Sequence, residues 1–338
     1  MTSSAPVRLV LLLAMATPPA AGAQLLADAS VAGPAPARET EPHARDVRYF
    51  GLSGALRAVV VEPAAELAPE VLHAVEVPPG EPVRWVPLLG TPEESLLGAP
   101  VAAAGMRAPL LPGIWSLAPA AHGGDLAEPG ETPLAIITRV PFERKRDGRL
   151  NGYHIGRFPT EGSGRTDRYA PPVGFIEVTR ENQDFHISRN FRLRQFLTKD
   201  QFDVWPKYVA LDLRLIDKLE LVLQELNAMG VRADRMHVMS GFRTPQYNGP
   251  GTGGRAQLSR HTFGDAADVW VDNDGDGYMD DLNGDGVADL RDAEVMLRAV
   301  ERVERRYPEL VGGAGLYVAT RAHGPFIHID VRGTPARW

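Results

Sequence analysis

At 338 residues the chain is long enough for two domains of ordinary size, and its 44% apolar and 23% charged residues are those of a soluble globular protein. It has no cysteine, which excludes disulfides, thiolate zinc sites, a cysteine nucleophile and a lipoprotein anchor cysteine. The formal charge of −7 is local, because residues 272–292 carry eight aspartates and one arginine; a basic nucleic-acid footprint is absent.

Arg8 precedes a short apolar run at residues 9–16, and Ala21-Gly22-Ala23 offers an A-x-A cleavage site, so residues 1–23 read as a secretory signal peptide. That run is too short to span a bilayer, and no later stretch is a transmembrane candidate. The mature protein is expected to begin near Gln24 and to be periplasmic or secreted. Residues 24–45, rich in Ala, Pro and charge without periodicity, read as a flexible linker. Residues 46–145 hold short apolar runs at 56–61, 82–86, 113–117 and 134–140 separated by Pro and Gly, the pattern of a small all-β, sandwich-like domain of unknown role. Its His73 and His122 read as surface residues. Residues 146–175, basic and then Gly/Pro-rich, read as a connection, with a candidate strand around Tyr153 and His154.

The remainder, 176–338, mixes periods. Leu211, Leu215, Leu219, Val222, Leu223 and Leu226 follow helical spacing over about 206–229, with Gly230 as the stop. A second amphipathic helix is expected over 292–306. Strands are expected at 175–178, at His237 leading into a turn, at 316–319 and at 326–331. The class is α+β, with helices on a small antiparallel sheet.

A hydrolytic zinc site takes about three protein ligands and keeps a position for water. Without cysteine the ligands must be histidine or carboxylate. His261 and Asp268 flank the small residues Gly264, Ala266 and Ala267, and His328 sits in the apolar strand Phe326-Ile327-His328-Ile329-Asp330. Strand alternation puts Asp330 on the face of His328, where it is a candidate base or a residue that orients the ligand.

Three segments carry a resemblance. Ser240-Gly241-Phe242-Arg243-Thr244-Pro245-Gln246-Tyr247-Asn248, then Ser259-x-His261-x-x-Gly264-x-Ala266-x-Asp268-Val269, then Phe326-Ile327-His328-Ile329-Asp330 together resemble the zinc D-alanyl-D-alanine carboxypeptidase superfamily. That group shares its fold with the hedgehog signalling domain. His328-Ile329-Asp330-Val331-Arg332 followed by Arg337-Trp338 looks most like its murein endopeptidase branch. The resemblance covers residues 190–338. It implies that His261, Asp268 and His328 bind zinc, that Arg243 grips a substrate carboxylate, and that Ser259 lines the same pocket. Many members carry a glutamate base three residues before the last zinc histidine. Pro325 stands there in this chain, so Asp330 is the expected replacement, with His323 as the alternative.

Between the second and third ligands, residues 272–292 form an acidic insertion. Asp281, Asn283, Asp285, the Val287 carbonyl and Asp292 fall at positions 1, 3, 5, 7 and 12 of a twelve-residue calcium loop. An overlapping earlier register begins at Asp272, Asp274 and Asp276 and shares residues with it, so two full sites are not expected. The leading expectation is an exported zinc peptidase acting on peptidoglycan peptides, with calcium as a second cofactor in the insertion. The alternatives are a non-catalytic metal-bound peptidoglycan- or protein-binding module, and a calcium-dependent adhesion or scaffold protein.

Overall fold

The computed structural model describes residues 74–81, 108–116, 135–249 and 256–338. The expected signal peptide, the linker, the strand runs at 56–61 and 82–86, and both His73 and His122 lie outside these. The chain is a mixed α/β protein with small, mainly antiparallel sheets and few helices. Among the described residues no helix is long and apolar enough to cross a membrane.

In chain order the strands are β1 (Ala74–Glu76), β2 (Gly113–Ser116), β3 (Ala135–Thr138), β4 (Val140–Pro141), β5 (Arg149–Leu150), β6 (Tyr153–His154), β7 (Gly174–Val178), β8 (Lys207–Val209), β9 (Met236–Ser240), β10 (Ala266–Val271), β11 (Gly313–Tyr317), β12 (Phe326–Asp330) and β13 (Ala336–Arg337). The helices are α1 (Leu213–Ala228), α2 (Pro245–Asn248), α3 (Arg260–Phe263) and α4 (Leu290–Arg306). The central sheet has five strands in the order β13-β11-β12-β10-β9, antiparallel apart from the β11–β13 pair.

The main helix starts later than its leucine spacing implies. Lys207–Val209 is drawn into strand β8 beside β7, and Asp212 then caps α1 by accepting the Arg214 N–H. The leucine stripe is core as expected, with Leu215, Leu219 and Leu226 fully buried. Lys218 is buried too. Its Nζ donates to Glu304 on α4 and to the Asp330 carbonyl, each at 2.7 Å, which ties both long helices to the end of β12. Asp289 and Asp292 cap α4 reciprocally, each side chain accepting a backbone N–H of the other's turn.

Described residues on either side of two boundaries drawn from composition pack together. Among the described residues of 46–145, strands β1, β3 and β2 make one three-stranded sheet instead of two facing sheets. Ala74, Ile137 and Val140 belong to the same apolar cluster as Leu211 and Val209. Arg139 bridges Glu76 and the Leu211 carbonyl across that junction. Residues 146–175 are likewise no loose tether. Tyr153, Ile155 and Phe158 are buried, Gln246 donates its N–H to the Ile155 carbonyl, and Phe158 and Tyr169 pack their rings against Phe263 of α3. Those contacts form the wall behind His261.

Candidate metal centre

The register of the central sheet assembles the site. Asp268 of β10 stands directly opposite His328 of β12 on one side and Ser240 of β9 on the other, and His328 faces Gly315 of β11. Directly opposed residues of an antiparallel pair hold their Cβ atoms about 4.5–5.5 Å apart, which is ligand spacing without further adjustment. His261 arrives from α3, one short helical turn. That turn is ended by Gly264 at φ +79°, where a side chain would strike the Ala210 carbonyl. Gly315 completes the row by leaving room for the Trp338 ring.

His261 Nε2, His328 Nδ1 and one Asp268 oxygen converge, with separations of 3.1 Å, 3.2 Å and 2.9 Å. All three residues are buried. Donors bound about 2.0–2.1 Å from a tetrahedral ion stand about 3.3 Å apart, so the triangle has the size of one face of such a shell. The outward nitrogens fit too. His261 Nδ1 lies 2.7 Å from the Gly241 carbonyl and His328 Nε2 lies 3.3 Å from Asp330, so each imidazole has an acceptor for its outer N–H. A neutral imidazole has one N–H, and once it points outward the inner nitrogen offers a lone pair. Two such lone pairs and a carboxylate need a positive centre between them.

The protonation balance agrees. Burial pushes His261 downward and outweighs Asp268, keeping it neutral. Burial also opposes charge on Asp268 and on His328, but their partners prevail: His261 and then His328 act on Asp268, and Asp268 and Asp330 act on His328. Asp268 is held below the usual carboxylate range and His328 above the usual imidazole value.

The group opens into a cleft of about 650 Å³ that Arg243, Ser259 and His323 also line. Arg243 is already engaged, with Nε on Ser240 Oγ at 2.8 Å and Nη2 on the second Asp268 oxygen at 2.5 Å. It therefore braces a ligand as well as facing the cleft. Ser259 is the residue before α3, and its hydroxyl makes no cap bond. His323 Nδ1 meets the Gly324 carbonyl at 2.8 Å. An aromatic wall went unnoticed in the sequence. Tyr317 stacks on Phe326 with centroids 4.5 Å apart, Trp338 donates to the Tyr317 hydroxyl, and its ring lies 5.3 Å from that of His328. Trp338 entered the sequence reading only through the resemblance, and nothing in the sequence places its ring beside Tyr317 and His328.

Asp330 does not sit as a base should. It is 0% exposed, takes the outer nitrogen of His328, accepts the Gly313 N–H at 2.7 Å and forms an ion pair with Arg332. Burial raises its proton affinity, yet His328 and Arg332 hold it well below the usual carboxylate range. These surroundings fit the other role read for it, orienting His328.

In the insertion the structure gathers a different register from the expected one. The carboxylates that converge are Asp272, Asp274 and Asp276. Asp281 instead accepts the N–H groups of Gly284 and Gly286, Asn283 that of Asp285, and Asp285 that of Val287. Asp292 spends both oxygens on the N–H groups of Leu282, Asn283 and Asp289. Asp274 and Asp276 likewise accept the N–H groups of Asp276 and Tyr278, so such turn bonds are common to both registers, and what sets the first apart is the convergence of its three carboxylates. No family model, curated protein or solved structure matches the chain.

Proposed function

We propose that this chain is an exported zinc peptidase that hydrolyses amide bonds in peptidoglycan stem or cross-link peptides, with residues 176–338 forming a hedgehog-like D-alanyl-D-alanine carboxypeptidase domain. The observation that carries the reading is the convergence of His261, Asp268 and His328 in a cleft that also holds Arg243, Ser259 and His323. The three segments supplying these residues are the ones that resemble that superfamily.

Zinc held there supplies an activated water and polarises the scissile carbonyl. His261 and His328 keep their inner nitrogens unprotonated for it through Gly241 and Asp330. Arg243 presents a guanidinium suited to a carboxylate of the stem peptide while its Nη2 steadies Asp268. His323 takes the role of base: with Nδ1–H directed to Gly324, Nε2 remains as an acceptor. Tyr317, Phe326 and Trp338 offer an apolar wall for the peptide.

A second reading is favoured by one feature. Pro325 replaces the usual glutamate, and Asp268 is the one carboxylate lining the cleft among the described residues. A metal-bound module that binds peptidoglycan without cutting it fits that feature.

Digestion of purified sacculi by zinc-loaded protein, with chromatography of the released muropeptides, separates the two. New peptide products are expected from the wild type and none from His261→Ala, and His323→Ala is expected to lose about 10²–10⁴-fold in rate. Wild-type protein that sediments with sacculi yet releases nothing new rejects the peptidase.

A further inference from the structure

Asp272 follows the last residue of β10, four positions beyond the ligand Asp268, and its carboxylate is 0% exposed. Among the described residues no group hydrogen-bonds to either of its oxygens. The nearest polar atom recorded is His237 Nδ1 at 3.6 Å, outside hydrogen-bond range, on a ring that stacks against Trp270 at 4.4 Å. Arg235 passes over Gly275 but forms no ion pair with the aspartates of this turn among the described residues. A buried carboxylate with no hydrogen bond and one imidazole at 3.6 Å is poorly compensated, and proteins place such a group where a cation balances it.

The Asp272 carboxylate points at just such a place. One oxygen each of Asp272, Asp274 and Asp276 lie within 4.8 Å of one another. Three carboxylate oxygens at that spacing suit a hard cation with oxygen ligands 2.3–2.6 Å away, and the alternating positions are those of a calcium loop. Further oxygen donors follow in the sequence at the Tyr278 carbonyl and Asn283, positions 7 and 12 of the same register. The contrast with the second register is chemical. Asp281 is exposed and accepts the Gly284 and Gly286 amides, whereas the corresponding Asp272 is buried and accepts none; Asp274 and Asp276 each accept one amide and keep acceptor capacity.

We infer that Asp272, Asp274 and Asp276 bind a calcium-type divalent cation that anchors the exit of β10 into the acidic insertion. The site stands apart from the metal centre and from the peptidase reading, and it makes the insertion a brace on the strand that carries Asp268.

The test is calorimetric titration of chelator-treated full-length protein with calcium chloride, with melting followed in parallel. Asp274 and Asp276 are exposed, so an Asp274→Asn/Asp276→Asn double variant leaves no buried gap. It is expected to weaken calcium binding at least about tenfold, because fewer charged ligands lower the affinity of such loops, while Asp281→Asn/Asp285→Asn weakens it less. Asp272→Asn supplies a readout that simple loss of structure does not give. It is expected to melt above the wild type in chelator and below it in calcium. Absence of calcium binding, equal or greater weakening by the Asp281/Asp285 pair, or an Asp272→Asn variant less stable than the wild type in chelator would overturn the assignment.

Discussion

His261→Ala and His328→Ala are each expected to abolish zinc loading, with affinity falling well beyond the roughly 10–100-fold typical of losing an outer partner. Each change removes one of three donors lying 2.9–3.2 Å apart and leaves the other two without the geometry to hold an ion. The check is competition of metal-stripped protein against a chromophoric chelator, read alongside melting. A ligand present at about a hundred times its dissociation constant stabilises a protein by about 2.7 kcal/mol, so the wild type should gain a clear rise in Tm with zinc while both variants gain none. Loading should also weaken on acidification, because zinc and the His328 proton compete for the same space. Wild-type affinity in either variant would remove that histidine from the ligand set.

Asp330→Ala is the second large effect, and it acts on structure and metal together. The substitution strands three partners at once: the outer N–H of His328, the Gly313 amide and the Arg332 guanidinium. Breaking a buried ion pair by deleting one partner costs about 3–5 kcal/mol. Freeing His328 to rotate or change tautomer should lower zinc affinity about 10–100-fold. Asp330→Asn separates these effects, since it keeps the shape and an acceptor for the His328 N–H while removing the charge that Arg332 pairs with. Denaturant unfolding and zinc competition on both variants give the two numbers. If Asp330 were the base, Asp330→Asn would instead leave zinc affinity intact and remove hydrolysis alone.

The group of His261, Asp268 and His328, which could hold a metal, was legible through the three segments that carry the resemblance, because a cysteine-free chain leaves histidine and carboxylate as ligands and alternation along β12 puts His328 and Asp330 on one face. The pairing of Asp268 opposite His328 could not be read, since register depends on which strands become neighbours. Helix α1 was placed by its leucine stripe, but its start was missed: Lys207, Tyr208 and Val209 are claimed by pairing with β7, a long-range contact that overrides local periodicity. Residues 146–175 look like a tether because Gly and Pro dominate them, yet Tyr153, Ile155 and Phe158 are buried and support α3. The role of Asp330 turned on Arg332 and Gly313, one two residues away and the other on a separate strand. In the acidic insertion both registers obey the same ligand spacing. The fold separates them: it buries Asp272 with no hydrogen bond to its carboxylate and converges it with Asp274 and Asp276, whereas Asp281 is exposed and accepts backbone amides.

X-ray absorption spectroscopy of the zinc-loaded chain tests the metal centre most directly. The expected spectrum has a first shell of nitrogen and oxygen at about 2.0–2.1 Å with outer-shell scattering from two imidazoles, a signal that His261→Ala and His328→Ala, which load no zinc, do not give. A shell of oxygen alone, unchanged by His261→Ala and His328→Ala, would contradict the assignment of His261, Asp268 and His328 as its ligands.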